Sequence, residues 1–552
     1  MSNAAAAGAG EAPGVFTRKS SGLVRAMSPN SAIIYNILTM GIIFPWTFLE
    51  APTAVPGGNL VWGIVIAFLL ELPLALSYAW LASALPRSGG DYVFQSRTFG
   101  GGFGFTVVFG LFVIWILQWV ALSGWLMSTI GIAPLAFGLA HTTGAGAFTD
   151  IGTWASTSHG IIIVSILNAL VSMILLVSGF KNYVRFQLII FASVILSFVI
   201  MLVLFFTHNQ ASFQTHVNAF AQDSAGVKDF FNTASGAATK AGVNLHPPFS
   251  LWATLMVAPI AWTSLQWATY SVEQGSEVKN AASFKTQAKI LVVSLAAVAV
   301  LLILLALGLQ HGIGEKGMQI ASSGYWYLVG EATLNGASLM PNLLAMTLTG
   351  SSVLVFLIGL GYVLNSFQIV CNCYIGCTRI LVAQALDGLL PKWFADVNSR
   401  FRTPVNAHLA YFLASIPVIV CYNTVADWST KWALAITFAN GAALTISGLA
   451  ATLLPYRNRA IYDASPGSKY KVGNVPLVTI VGGLGFVCGA LMCLAFLFNK
   501  DLGLAFSMSN PAPYLMVLAT LILAAVTYLL MKSYRRGKGV DVRYAFAEIP
   551  PE

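Results

Sequence analysis

Few side chains in the long apolar runs of this sequence could do chemistry. One is Glu71, set in 67-AFLLELPLAL-76. A carboxyl at that depth must be protonated, paired or turned towards a cavity, and it suits a proton carrier. The same residue could instead be a neutral acid hydrogen-bonded to a neighbouring helix. The other candidates are backbone groups exposed by broken helices. The run 31-SAIIYNILTMGIIFPWTFLEAP-52 is apolar at both ends but carries Asn36, Thr39, Gly41 and Pro45 through its middle. The run 249–274 holds Pro259 and then Thr263, Ser264, Gln266 and Thr269. Freed N–H and C=O groups survive within a bilayer only where protein or a water-filled cavity satisfies them. Breaks at corresponding places in two halves of a chain point to a carrier's substrate site.

Positioning such groups falls to a bundle of membrane helices. The chain has 552 residues, 57% hydrophobic and 9% charged, against about 25% charged in soluble domains. Runs of spanning length are expected near 31–50, 60–84, 103–133, 159–178, 186–207, 249–271, 288–308, 341–375, 407–422, 431–454, 475–498 and 512–532, an all-α polytopic protein of twelve transmembrane helices. With both termini cytoplasmic, all but five of the 28 Lys and Arg fall on the inner side, the exceptions being Lys228, Lys240, Lys316, Lys431 and Lys500. The net charge of +9 is then expected to face anionic lipid headgroups of the cytoplasmic membrane rather than nucleic acid.

The runs divide the chain into an uncleaved cytoplasmic tail (1–30), a first five-helix repeat (31–207), a polar external loop (208–248), a second five-helix repeat (249–454), accessory helices 11 and 12 (455–532) offering an oligomer contact, and a C-terminal tail (533–552). Residues 1–17 have no apolar core of the signal-peptide kind. The sequence fixes no oligomeric state.

Other chemistry is poorly supported. The seven histidines lie in loops or at span edges, so no intramembrane catalytic pair assembles, and no phosphate-binding G-x-x-x-x-G-K-[ST] occurs. Cys371, Cys373 and Cys377 form a C-x-C-x3-C cluster without a nearby His; buried thiols acting as small apolar groups fit better than a metal site. No cofactor or metal is expected. Glu50, at the outer end of the first run, is expected at the interface. Gln118, Asn365 and Asn440 either face a cavity or hydrogen-bond between helices.

Three ordered stretches resemble the amino acid–polyamine–organocation (APC) superfamily. They are 81-LASALPRSGGDY-92, 271-SVEQGSEVKN-280 and 379-RILVAQALDGLLPKWFADVNSRFRTPVNA-407. The resemblance implies a LeuT-type 5+5 inverted repeat with discontinuous helices 1 and 6, and secondary active carriage of amino acids, neutral and zwitterionic by the absence of basic groups in the expected cavity. It places the carboxylate-binding unwound stretch at Thr39, Met40, Gly41 and Ile42, with Thr39 departing from the family's glycine. In the sixth span it places substrate contacts at Trp262, Thr263, Ser264, Gln266 and Trp267, with Trp262 near an aromatic gate; Trp262 packed against a neighbouring helix is equally compatible. The family's acidic position there is Thr269, so coupling through that side chain is in doubt. Some members carry a lysine in span five, absent here. Proton coupling through Glu71 is the expectation, and a sodium ion held by Ser193 and Ser366 the alternative. A cationic amino acid or polyamine carrier, or a non-transporting sensor of the same fold, stays open.

Overall fold

The computed structural model describes residues 22–43, 46–499, 502 and 510–546; Arg18, Lys19, Pro45 and Lys500 lie outside them. Ten described helices are long and apolar enough to cross a membrane. They are α3 (Leu60–Ala84), α5 (Gly101–Thr143), α6 (Ser158–Val177), α7 (Phe180–Thr207), α11 (Phe284–Gly312), α14 (Ser352–Leu386), α15 (Val405–Thr424), α16 (Ala433–Arg457), α17 (Leu477–Phe498) and α18 (Ala512–Gly537).

The two runs expected to break are interrupted. The first is divided between α1 (Pro29–Met40) and α2 (Trp46–Ala54). Ser28 caps α1 by accepting from Ser31 N at 3.1 Å, and Gly41 ends it with φ 69° and ψ 70°, a left-handed conformation that glycine enters at no steric cost. In the second, α10 (Leu251–Leu265) tightens at Gln266 into a 3₁₀ segment running to Glu273. That switch removes the regular i→i−4 bonding and leaves carbonyls of the last α turn to other partners.

Several expectations change. Residues 208–248, expected as a polar external loop, contain two helices, α8 (Gln210–Ala225) and α9 (Phe230–Lys240). Phe213, Val217 and Phe220 lie along one face of α8 and are buried, which is the helical i, i+4, i+7 spacing. The run 341–375 is two helices, α13 (Pro341–Thr347) and α14, because Thr349-Gly350-Ser351 breaks the chain and Ser351 caps the new start. α17, the first of the two helices expected to be accessory, packs along both α3 and α16, where Gly485 lies so close to Leu74 that an added Cβ would stand 2.8 Å from its Cα. α18 does expose an apolar face, including Leu518, Ile522, Val526 and Leu529.

A short helix, α4 (Gly90–Phe99), joins α3 to α5. It packs against α16 and reaches Glu273 and Asp387 through hydrogen bonds, on a face of the bundle that the segments leading from both termini also join. Met27 N donates to Glu277 O at 2.9 Å, and Ala545 O accepts from Arg97. This is termed the terminal face below.

Candidate functional site

A small cavity of about 30 Å³ lies where the two interrupted helices meet. The end of α1 contributes Thr39, Met40 and Gly41; the end of α10 contributes Thr263 and Ser264; the 3₁₀ segment adds Trp267 and Tyr270. α5 closes one side with Ile116, Trp119 and Leu126, and α14 another with Ile369 and Cys373. Six of the nine residues expected to contact substrate therefore share one cavity.

The other three do not reach it. Ile42 is fully buried elsewhere. Trp262 points towards α3, where its Nε1 donates to Glu71 Oε2 at 2.6 Å. Its ring also lies against α16, where a Cβ on Gly441 would come within 2.4 Å of it. The ring packs and hydrogen-bonds between helices, the second of the two roles expected of it, and it does not line the central cavity. Gln266 donates to Thr263 O at 3.4 Å, and its Oε1 lies beside Gly441. Successive helical residues are turned by about 100°, which suffices to carry Trp262 away from the side of Thr263 and Ser264, and a helix buried all round gives no polar stripe by which a sequence could orient it.

The breaks are tied down by a polar network. Asn36 Nδ2 donates to Ser271 Oγ at 3.0 Å and its Oδ1 accepts from Ser271 N at 2.9 Å, clasping α1 to the 3₁₀ segment. Thr39 Oγ1 donates to Tyr35 O at 2.6 Å and accepts from Asn372 Nδ2 at 2.6 Å. Asn372 and Gln368 share the hydroxyl of Tyr183. Asn365 donates to Leu38 O at 3.2 Å, so a carbonyl near the end of α1 finds a partner on α14. Tyr35 stacks on Tyr270 with centroids 6.1 Å apart, and Tyr270 meets Trp267 edge-on at 5.5 Å. Tyr270, Trp119, Cys373 and Ile369 escaped the sequence reading because apolar and aromatic residues in a span carry no marker of which ones line a cavity.

Glu71 is buried, with Trp262 on Oε2 and no hydrogen-bond partner on Oε1 among the described residues. Ser366 Oγ donates to Tyr362 O at 3.0 Å, the usual back-bond of a helical serine. Ser193 is half-buried on α7 and neither serine lines the cavity. Asn440 bridges Trp119 Nε1 and Leu111 O at 3.0 Å each, and Gln118 accepts from Trp428 at 3.1 Å. Both amides hydrogen-bond between elements. Cys371, Cys373 and Cys377 are buried free thiols.

The three motif stretches converge on the terminal face. Arg97 makes two bonds to Asp387, at 2.6 and 3.0 Å, and Tyr92 adds a third at 2.7 Å. Arg379 forks onto Glu277 at 2.7 and 2.9 Å. Gly89 N donates to Glu273 O at 2.9 Å, and Asp91 accepts from the hydroxyls of Tyr78 and Ser447. Arg97 and Arg379 were expected among the residues facing headgroups; they are buried and ion-paired instead. Hydropathy assigns charge to the surface, but a bidentate Arg–carboxylate pair can be enclosed at a helix end.

Beyond the central cavity, away from the terminal face, a second cavity of about 120 Å³ shares Trp119 and Thr263 with it. Glu50 lines this space rather than the outer interface expected of it.

A family model described as "Amino acid permease" matches residues 30–526. Over 360 residues the chain is 22% identical to uncharacterized transporters of Mycobacterium tuberculosis (strain H37Rv) and Mycobacterium bovis, covering 65% of this chain and 66% of each of theirs. A stretch of 95 residues is 33% identical to an uncharacterized protein of Sulfolobus islandicus rod-shaped virus 1, covering 17% of this chain and 23% of that protein. The chain thus spans less than two thirds of the length of these relatives. With a match running from the first turn of α1 into α18, the chain belongs to the amino acid permease family of the APC superfamily.

Proposed function

We propose that this multi-pass membrane protein is a secondary active carrier of amino acids working by alternating access. The reading rests above all on the central cavity, built by the ends of two interrupted helices in a chain of the permease family. In this reading the ten long helices and the two interrupted ones make twelve spans in a 5+5 inverted repeat. Extensive packing of α3 on α11, the helices that follow the two breaks, supports that pairing. The terminal face is cytoplasmic, as the distribution of Lys and Arg favours.

The substrate carboxylate meets backbone N–H groups around Gly41, and the ammonium group meets carbonyls near Thr263 and Ser264. A cavity of about 30 Å³ has room for water but not for an amino acid. Substrate therefore requires the α1 and α10 ends to part, while the ion pairs Arg97–Asp387 and Arg379–Glu277 keep the cytoplasmic side shut. Glu71, linked through Trp262 to the helix that carries Thr263, is placed to couple its protonation to that movement. Uptake into proteoliposomes of a panel of labelled amino acids, with imposed pH or sodium gradients, tests this reading. Absence of uptake and of exchange for every amino acid would overturn it.

A further inference from the structure

We propose that a basic cavity on the terminal face binds the phosphoryl headgroup of an anionic membrane lipid, with Lys181, Arg400 and Arg402 as its counter-charges. The cavity measures about 540 Å³ and lies where the α6–α7 connection meets the loop 398–403 and the segment leading into α1. Its lining holds those three cations and no carboxylate. None of the three side chains makes an ion pair or hydrogen bond among the described residues. The cavity of about 240 Å³ between α2 and α12 (Gly314–Trp326) has the opposite character, with Glu315 as the charged residue of its lining. The inference requires only the membrane setting and stands apart from the identity of any transported substrate.

Three such cations around one space select an anion, and the backbone adds to them. α7 starts at Phe180 behind Gly179, with no side chain capping it. The N–H groups of Phe180 and Lys181 find no acceptor among the described residues. At the start of a 28-residue helix they carry the positive end of its dipole. Arg400 and Arg402 are placed by Asn398, whose Oδ1 accepts from Arg400 N at 2.9 Å and whose carbonyl accepts from Arg402 N at 2.8 Å. Each guanidinium can present paired N–H donors to phosphate oxygens, a geometry that carries specificity as well as charge.

The membrane is the source of that phosphate. From the cavity an exposed stripe runs along α7 at helical spacing, through Lys181, Arg185, Leu188, Leu196 and Val199. It changes from basic to apolar within about two turns. α6, which ends beside the cavity at Val177, exposes Leu167, Val171 and Ile174 towards that end. A phospholipid has the same order of parts, a charged phosphate followed by acyl chains. With its phosphoryl group beside Lys181, its chains lie along the apolar faces of α6 and α7. A soluble phosphate uses the basic end alone. Val24 and Ala26 also line the cavity, and the next residue, Met27, is bonded to Glu277. A bound headgroup therefore holds the segment before α1 against the α6–α7 connection and stabilises the fold.

The test is lipid binding to the purified full chain in detergent, read by native mass spectrometry and by melting temperature. Dioleoylphosphatidylglycerol should add one tightly held molecule and raise the melting temperature. Dioleoylphosphatidylcholine, which has the same chains but a choline that offsets the phosphate charge, should do neither. The triple variant Lys181→Gln, Arg400→Gln, Arg402→Gln should weaken phosphatidylglycerol binding by about tenfold or more. Arg402→Lys, which keeps the charge and loses the fork, should weaken it a few-fold. The control Lys469→Gln, Lys471→Gln, Arg536→Gln removes the same charge from other exposed positions and should leave affinity within about twofold of the wild type. Melting temperatures close to wild type without added lipid establish that the variants fold. Equal binding of the two lipids, a site variant within about twofold of the wild type, or an equal loss in the control would overturn the proposal. Competition by glycerol 3-phosphate at the lipid's own affinity would overturn the membrane as the source and make this a site for soluble phosphates.

Discussion

The indole of Trp262 donates to the carboxyl of Glu71 at 2.6 Å, joining the middle of α3 to the last turn of α10. The bond sits one residue before Thr263, which lines the central cavity. A change in the charge or hydrogen bonding of Glu71 is therefore felt at the helix end where substrate is proposed to bind.

Glu71→Gln keeps an oxygen that accepts from Trp262 but cannot cycle a proton. Uphill uptake driven by a pH gradient should be lost, whereas exchange of internal for external substrate should persist with little change in melting temperature. Glu71→Leu, by contrast, orphans a buried indole N–H and should cost about 1–3 kcal/mol of stability. If Glu71→Gln still concentrates substrate under a pH gradient, Glu71 is structural. Wild-type uptake that needs sodium and ignores pH would turn attention to Ser193 and Ser366.

Gly41 has φ 69° at the end of α1 and lines the cavity. A branched side chain there is strained in the left-handed region and fills the approach to the backbone N–H groups. Gly41→Val should abolish stabilisation of the purified protein by amino acids in thermal-shift measurements. A variant that is stabilised as strongly as wild type would remove Gly41 from the substrate site.

What was legible in the sequence was the interruption of helices, because polar residues, glycine and proline stand out in an apolar run. Thr39, Gly41, Thr263 and Ser264 were found on that ground. Rotation about the helix axis was not legible: α10 is buried nearly all round at its C-terminal end, so nothing in Trp262-Thr263-Ser264-Leu265-Gln266 distinguishes the cavity side from the Glu71 side. Charge misled in the other direction. Arg97 and Arg379 read as surface residues singly, and only their pairing with Asp387 and Glu277, across 290 and 102 positions, permits burial. In α8 the signal was present at Phe213, Val217 and Phe220 and was masked by the polar composition around them.

The pair Arg379–Glu277 offers a thermodynamic test of the proposed cytoplasmic seal. Both side chains are about 1% exposed, so removing one partner strands a buried charge. Arg379→Met should destabilise by about 3–5 kcal/mol, while the double variant Arg379→Met, Glu277→Met should recover much of that loss. The cycle is read from chemical denaturation in detergent. Additive single effects would show that the two charges are independently solvated.

Gly376 on α14 faces the hydroxyl of Tyr270, and a Cβ built there would stand 2.3 Å from Oη and 2.5 Å from Cζ. The ring cannot give way freely. Tyr35 stacks on one face, while Trp267 and Phe112 lie at 5.5 and 6.0 Å. The open direction is the central cavity, which Tyr270 already lines. Gly376→Ala should therefore push the phenol into the space where α1 and α10 ends must part to admit substrate. The expected outcome is a KM raised by about tenfold, with a stability loss of about 1–3 kcal/mol from overpacking. Tyr270→Phe in the Gly376→Ala background removes the clashing oxygen and should restore part of the affinity. If Gly376→Ala lowers the melting temperature but leaves the KM at its wild-type value, Tyr270 moves elsewhere and does not border the path of the substrate.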